Sequence, residues 1–80
     1  MKVTIELQAY LDRYSPVGDP HFQVDLPNGA TVEGLLRHLG IPDDMAQVII
    51  VNNQNVGFEH PLKEGDHVIL IPPLAGGGQG

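Results

Sequence analysis

The sequence predicts an α+β domain in which two β-hairpins and one main helix share a single mixed sheet of four to five strands. Three observations carry this reading. Residues 2–8 and 21–26 alternate apolar and polar side chains, residues 31–39 place apolar side chains at helical spacing, and two β-branched runs, QVIIVN and HVILI, follow the helix.

In KVTIELQ, Val3, Ile5 and Leu7 fall on one face and Lys2, Thr4, Glu6 and Gln8 on the other, the period of a half-buried strand. Residues 9–20 mix polar groups with Pro16, Gly18 and Pro20 and read as a long hairpin loop. HFQVDL then alternates again through Phe22, Val24 and Leu26. After the turn signal PNG, Thr31 is placed to cap a helix and Glu33 sits in its first turn, where the helix dipole favours an anion. Val32, Leu35, Leu36 and Leu39 form the apolar stripe, Arg37 and His38 lie near the C-terminal end, and Gly40 with Pro42 stops the helix. The run 47–52 is expected to be a strand covered on both faces or at the sheet centre, and 67–71 has the same character. Between them Val56 and Phe58 are the expected anchors, with a short edge strand around them. Strand, strand, helix, strand, short strand, strand is the order of the ubiquitin-like β-grasp, an order that does not by itself exclude other small α+β folds.

Eighty residues leave room for one domain and one modest core, because a chain this short buries only about 60% of its unfolded surface. With 41% apolar and 18% charged residues the composition is that of a folding chain and not a disordered one. No apolar run approaches the ~20 residues of a membrane span, and the first residues alternate where a signal peptide would be uniformly apolar. The expected location is therefore the cytoplasm, with no membrane partner. Ten acidic against four basic residues give a net charge of -6, the wrong sign for holding phosphate backbones, so no nucleic acid is expected. The charge serves solubility, or steers the protein toward a basic partner.

Side-chain chemistry is sparse. There is no cysteine, hence no thiolate nucleophile, disulfide or cysteine-zinc site. His21, His38, His60 and His67 lack the i, i+3 or i, i+4 pairing that puts two ligands on one helix face, so no metal site is expected. Asp43 and Asp44 are adjacent and read as a solvated loop start instead of an acid/base pair. Ser15, the single serine, has no glycine elbow around it. The GGG at 76–78 has neither the following helix nor the lysine of a phosphate loop. The domain is expected to be no enzyme.

What remains is the end, LIPPLAGGGQG. The expected division is a domain over 1–73 and a flexible glycine-rich tail over 74–80. Pro72 and Pro73 fix φ and favour an extended exit, and Gly76 and Gly77, lacking Cβ, could lie in a channel too narrow for a side chain. Leu74 to Gly77 would reach at most about 13 to 14 Å, far enough to carry a carboxylate into another protein. A frayed end is the plainer account of such a terminus; the rigid diproline and apolar Leu74 directly after a core strand argue against it.

From Val51 to Gly77 the chain reads VNNQNVGFEHPLKEGDHVILIPPLAGG. A VN start, a PL-x-(E/D)-GD-x-V turn and strand, and a PP-x-x-GG end, in this order, resemble the MoaD/ThiS family of ubiquitin-like sulfur carriers. The diproline resembles its molybdopterin branch, and the T-V-x-x-L-L helix start agrees with it. The resemblance implies that an E1-like enzyme adenylates the terminal glycine with ATP, the cofactor being bound by that partner and none by this chain. A sulfur donor would then form a thiocarboxylate, whose sulfur is delivered to a pterin precursor in the large subunit of molybdopterin synthase. Gly77 matches the sulfur-bearing glycine and Gly76 its neighbour. Pro72, Pro73, Leu74 and Ala75 match the stretch that threads into partners, and Phe58 and Ile71 match positions near the partner surface, a core role being open for either.

One departure is plain: Gly78, Gln79 and Gly80 follow the diglycine. The resemblance then leaves three accounts. The chain is a precursor trimmed after Gly77, in the manner of a zinc protease of the JAMM type; or the adenylating partner accepts the longer end; or the domain is a β-grasp binding module that carries no sulfur. Sulfur transfer for thiamin or cysteine synthesis would use the same tail with a different acceptor.

Overall fold

The computed structural model of the protein describes residues 1–73. The expected tail 74–80, with Leu74, Ala75, Gly76 and Gly77, lies outside the described residues. The strands are β1 (Lys2–Leu7), β2 (His21–Asp25), β3 (Val48–Val51), β4 (Gln54–Asn55) and β5 (His67–Ile71), and helix α1 spans Val32–Leu39. They form one five-stranded sheet in the order β2-β1-β5-β3-β4. The central pair, β1 with β5, is parallel and every other pair antiparallel. This is the mixed sheet with one main helix that the element order predicts.

Register turns the alternation of each strand into two chemically different faces. Phe22 pairs with Ile5, Ile5 with Val68, and Val68 with Val51, so one apolar row crosses four strands. Leu7, Leu70 and Ile49 form a second. Val32, Leu35 and Leu36 of α1 belong to the same buried cluster, together with Leu11, Leu26, Ile41, Ala46 and Leu62. Each such side chain contributes roughly 1.5 to 3 kcal/mol when removed from water, and that burial holds a helix too short to stand alone.

The ends of α1 are satisfied by identifiable groups. Thr31 Oγ1 accepts from the Gly34 N–H at 3.3 Å. The carbonyls of His60 and Phe58 accept from the N–H groups of Val32 and Glu33, each at 3.0 Å. The first three helical amides, which no helix can satisfy internally, thus all find acceptors. At the other end Gly40 takes φ 77, its N–H donates to the Arg37 carbonyl, and the Ile41 N–H donates to Leu36. That is the Schellman pattern, and Ile41 is buried beside it.

Three expectations need correction. Residues 9–20 are not all loop: Ala9–Tyr14 forms a 3-10 helix. It presents Leu11, fully buried, and Tyr14, packed against the core; two anchors at i, i+3 are too few to reveal such a helix as a periodic pattern. The short edge strand lies at Gln54–Asn55, ahead of Val56 and Phe58, because Asn52 and Asn53 both take positive φ (50° and 71°) and reverse the chain at once. β3 is neither central nor covered on both faces; β5 is the central strand, and Val48 and Ile50 of β3 are half-buried. Among the described residues no helix is long and apolar enough to cross a membrane.

Asp66 ties these parts together. It is the buried charged residue of the domain at 7% exposure. Its Oδ1 accepts from Asn52 Nδ2 and its Oδ2 from the Lys63 N–H, both at 2.8 Å. Asn52 Oδ1 in turn accepts from the His67 N–H, and the Asp66 carbonyl accepts from Thr4 N–H. The β3–β4 turn, the start of β5 and β1 thereby meet at Asp66, through its carboxylate, its main-chain carbonyl and Asn52. Asp66→Ala removes two hydrogen bonds to a buried carboxylate from part-buried donors and is expected to cost about 1 to 3 kcal/mol in urea unfolding. Asn53→Gly, at an exposed position already at positive φ, should leave stability within about 0.5 kcal/mol or raise it.

Candidate functional site

The outer face of the sheet differs along its width. On β1 and β2 it is polar: Glu6 Oε1 lies 3.6 Å from Nε2 of His21 and 3.6 Å from Nε2 of His67. Gln8 Nε2 donates to the other Glu6 oxygen. The two histidines stand far apart in sequence, and only the β2-β1-β5 order brings them to one carboxylate. A shallow groove lined by Glu6, Asn52, Asn53, His67 and Ile69 opens beside them. Among the described residues no set of three or more His, Asp or Glu side chains is arranged to hold a metal ion. Ser15 Oγ accepts from the Val17 N–H at 3.2 Å, which makes the hydroxyl part of a turn.

Toward β3 the same face is apolar. Ile69 pairs with Ile50 and Ile71 with Val48, and all four are half-buried. This strip ends at Ile71, where β5 ends, so it adjoins the point at which the chain runs into PPLAGG.

Physical chemistry stops the strand there. β5 pairs on both sides, and a continuing central strand needs an N–H at every second residue for each neighbour; Pro72 and Pro73 have none. The last ladder contacts are the Leu70 carbonyl accepting from Gln8 N–H at 3.0 Å and the Ile71 carbonyl accepting from Gln47 N–H at 2.9 Å. Pro72 is fully buried and so belongs to the domain, while Pro73 is half-buried. The Pro73 carbonyl accepts a hydrogen bond from the Tyr10 hydroxyl at 2.8 Å. Of the positions expected to face a partner, Ile71 stands on the open apolar strip. Phe58 packs against the core, and its carbonyl caps α1. Tyr10 and the Glu6 cluster were not marked by the sequence, because their partners lie in other strands or at the far end of the chain.

The chain was compared with known proteins. A model described as the ThiS family matches residues 10–77. A molybdopterin synthase sulfur carrier subunit of Escherichia coli (strain K12) is 36% identical over 55 residues, covering 59% of this chain and 68% of that protein. One of Drosophila simulans is 35% identical over 66 residues, covering 72% and 73%. Subunit 1 of a molybdopterin converting factor from Pyrococcus furiosus, 26% identical, superposes with a TM-score of 0.73 over 92% of this chain and 99% of that one.

Phe58 and Ile71, the two positions expected near a partner surface, should separate on substitution. Phe58→Ala removes core packing and is expected to cost about 2 kcal/mol, whereas Ile71→Ser on the open strip should cost less than about 1 kcal/mol. Urea unfolding of both variants checks this, and the reverse order would contradict the placement.

Proposed function

This chain belongs to the ThiS family, and from that membership we propose that it is a sulfur carrier of molybdopterin synthesis, acting through a diglycine terminus and not through any side chain. The observation that carries the proposal is where the family match stops: at Gly77, the second glycine of the PP-x-x-GG end.

Gly77 is followed by Gly78, so its carboxyl is a peptide carbonyl until that bond is cut. Hydrolysis by a processing protease, proposed as JAMM-type, supplies water across the bond and frees a carboxylate. An E1-like partner then uses ATP: a carboxylate oxygen attacks the α-phosphorus, pyrophosphate leaves, and a poor electrophile becomes a mixed anhydride. A donor of sulfide-level sulfur attacks the carbonyl carbon as hydrosulfide, AMP leaves, and a thiocarboxylate remains. The large subunit of molybdopterin synthase is the proposed receiver.

The described residues suit this division of labour. Every strand and the main helix lie before Pro72, so residues 74–77 can enter a partner without opening the core. The absence of cysteine is no obstacle, because the sulfur sits on the main-chain end. The strip Val48, Ile50, Ile69 and Ile71 adjoins the exit and is the surface we assign to partner docking, with Ile71 nearest the tail.

ATP–pyrophosphate exchange with the E1-like enzyme tests the proposal. A chain ending at Gly77 should support exchange, and the uncut chain and one lacking residues 76–80 should not, although both fold. Equal exchange by the uncut chain would remove the trimming step. No exchange by any form would leave a binding module and refute the carrier reading.

A further inference from the structure

We propose that Tyr10 is a positioning residue for the C-terminal segment: its hydroxyl holds the Pro73 carbonyl and fixes the point from which the terminus is presented to a partner. The inference rests on the reading that a carboxylate at Gly77 is the carried group.

After Ile71 the two prolines donate no backbone hydrogen bond, because neither has an N–H. Pro73 can still accept through its carbonyl, and here the donor is a side chain. Tyr10 does so from a position 63 residues away in sequence, with Oη 2.8 Å from the oxygen.

The local fold explains why the hydroxyl is there. Ala9 takes φ 52 and turns the chain out of β1 immediately after Gln8, whose N–H still donates to Leu70. The 3-10 helix then packs Leu11 and Tyr14 inward. Tyr10 is left on its outer side, 38% exposed, one of two large apolar side chains exposed among the described residues. The Arg13 guanidinium carbon lies 5.9 Å from the Tyr10 ring centroid, at the outer limit of a cation–π contact, so it adds little to the ring's placement. Unlike Leu11 and Tyr14, Tyr10 is not packed into the core, so the contact with Pro73 is its distinguishing interaction.

The expected consequence is entropic. Holding Pro73 removes conformations that would otherwise be lost when the terminus enters a narrow site, which lowers the cost of binding without touching the reacting atoms. Loss of the hydroxyl should therefore appear in KM and not in kcat.

Tyr10→Phe removes one oxygen and keeps the ring. In the full-length variant the Pro73 carbonyl carbon resonance should shift while Tm stays within about 2 °C of wild type. In the variant ending at Gly77, KM for adenylation by the E1-like enzyme should rise about three- to tenfold with kcat unchanged. Arg13→Gln, which leaves the hydroxyl in place, should keep KM within about twofold. An unshifted carbonyl, an unchanged KM, a fall in kcat alone, or an equal effect of Arg13→Gln would overturn the proposal. A wild-type chain that is not adenylated overturns the carrier reading and this inference with it; an adenylated wild type with an indifferent Tyr10→Phe overturns this inference alone.

Discussion

The parallel pairing of β1 with β5 is the constraint from which the rest of the structure follows. Thr4 to Leu7 run beside His67 to Leu70, so the first and last strands of the chain are neighbours at the sheet centre. Parallel neighbours cannot be joined by a tight turn, and here α1 and three further strands lie in the connection between them. The contact is also the most buried part of the sheet, since Ile5, Val68 and Leu70 are fully buried. Asp66 stands at its entrance and locks the β3–β4 turn and the loop from Lys63 to it. The sheet register, the open apolar strip and the position of the chain's exit all derive from that pairing.

Placing the last strand at the centre has a functional consequence. A tail that follows an edge strand could be pulled away by peeling its strand; a tail that follows β5 is anchored by ladders on both sides. The diproline then ends pairing at a defined residue, with Pro72 still buried in the domain. On the proposed reading the domain is a rigid handle that presents a terminus, while a partner supplies the chemistry. A terminal carboxylate, on that reading, needs no acid, base or metal from its own domain.

Much of the fold was legible because burial imposes a period. A one-residue slip in β1 would turn Val3, Ile5 and Leu7 outward, so alternation alone specifies which face is inside. Thr31 and Gly40 marked the ends of α1 because capping and positive φ favour those residue types. The 3-10 helix escaped notice because Leu11 and Tyr14 are its whole pattern. β4 lay earlier than its apolar neighbours suggested, since the reversal is driven by the backbone angles of two asparagines and not by hydrophobicity. Of the expected site, Pro72 and Pro73 stand where β5 ends, while Gly76 and Gly77 lie outside the described residues. The Tyr10–Pro73 contact and the convergence of His21 and His67 on Glu6 were not legible, because no local rule relates residues that only sheet order brings together. Phe58 carried two readings in the sequence, and the structure sets it in the loop that caps α1.

The central claim is that the chemistry of this protein resides on a glycine carboxyl exposed by processing. The intact mass of the protein recovered from its own cells addresses it most directly. The account predicts a species ending at Gly77, in part heavier by the difference between sulfur and oxygen. A population consisting only of chains that extend past Gly77, unchanged after incubation with the E1-like enzyme, ATP and a sulfur source, would contradict it.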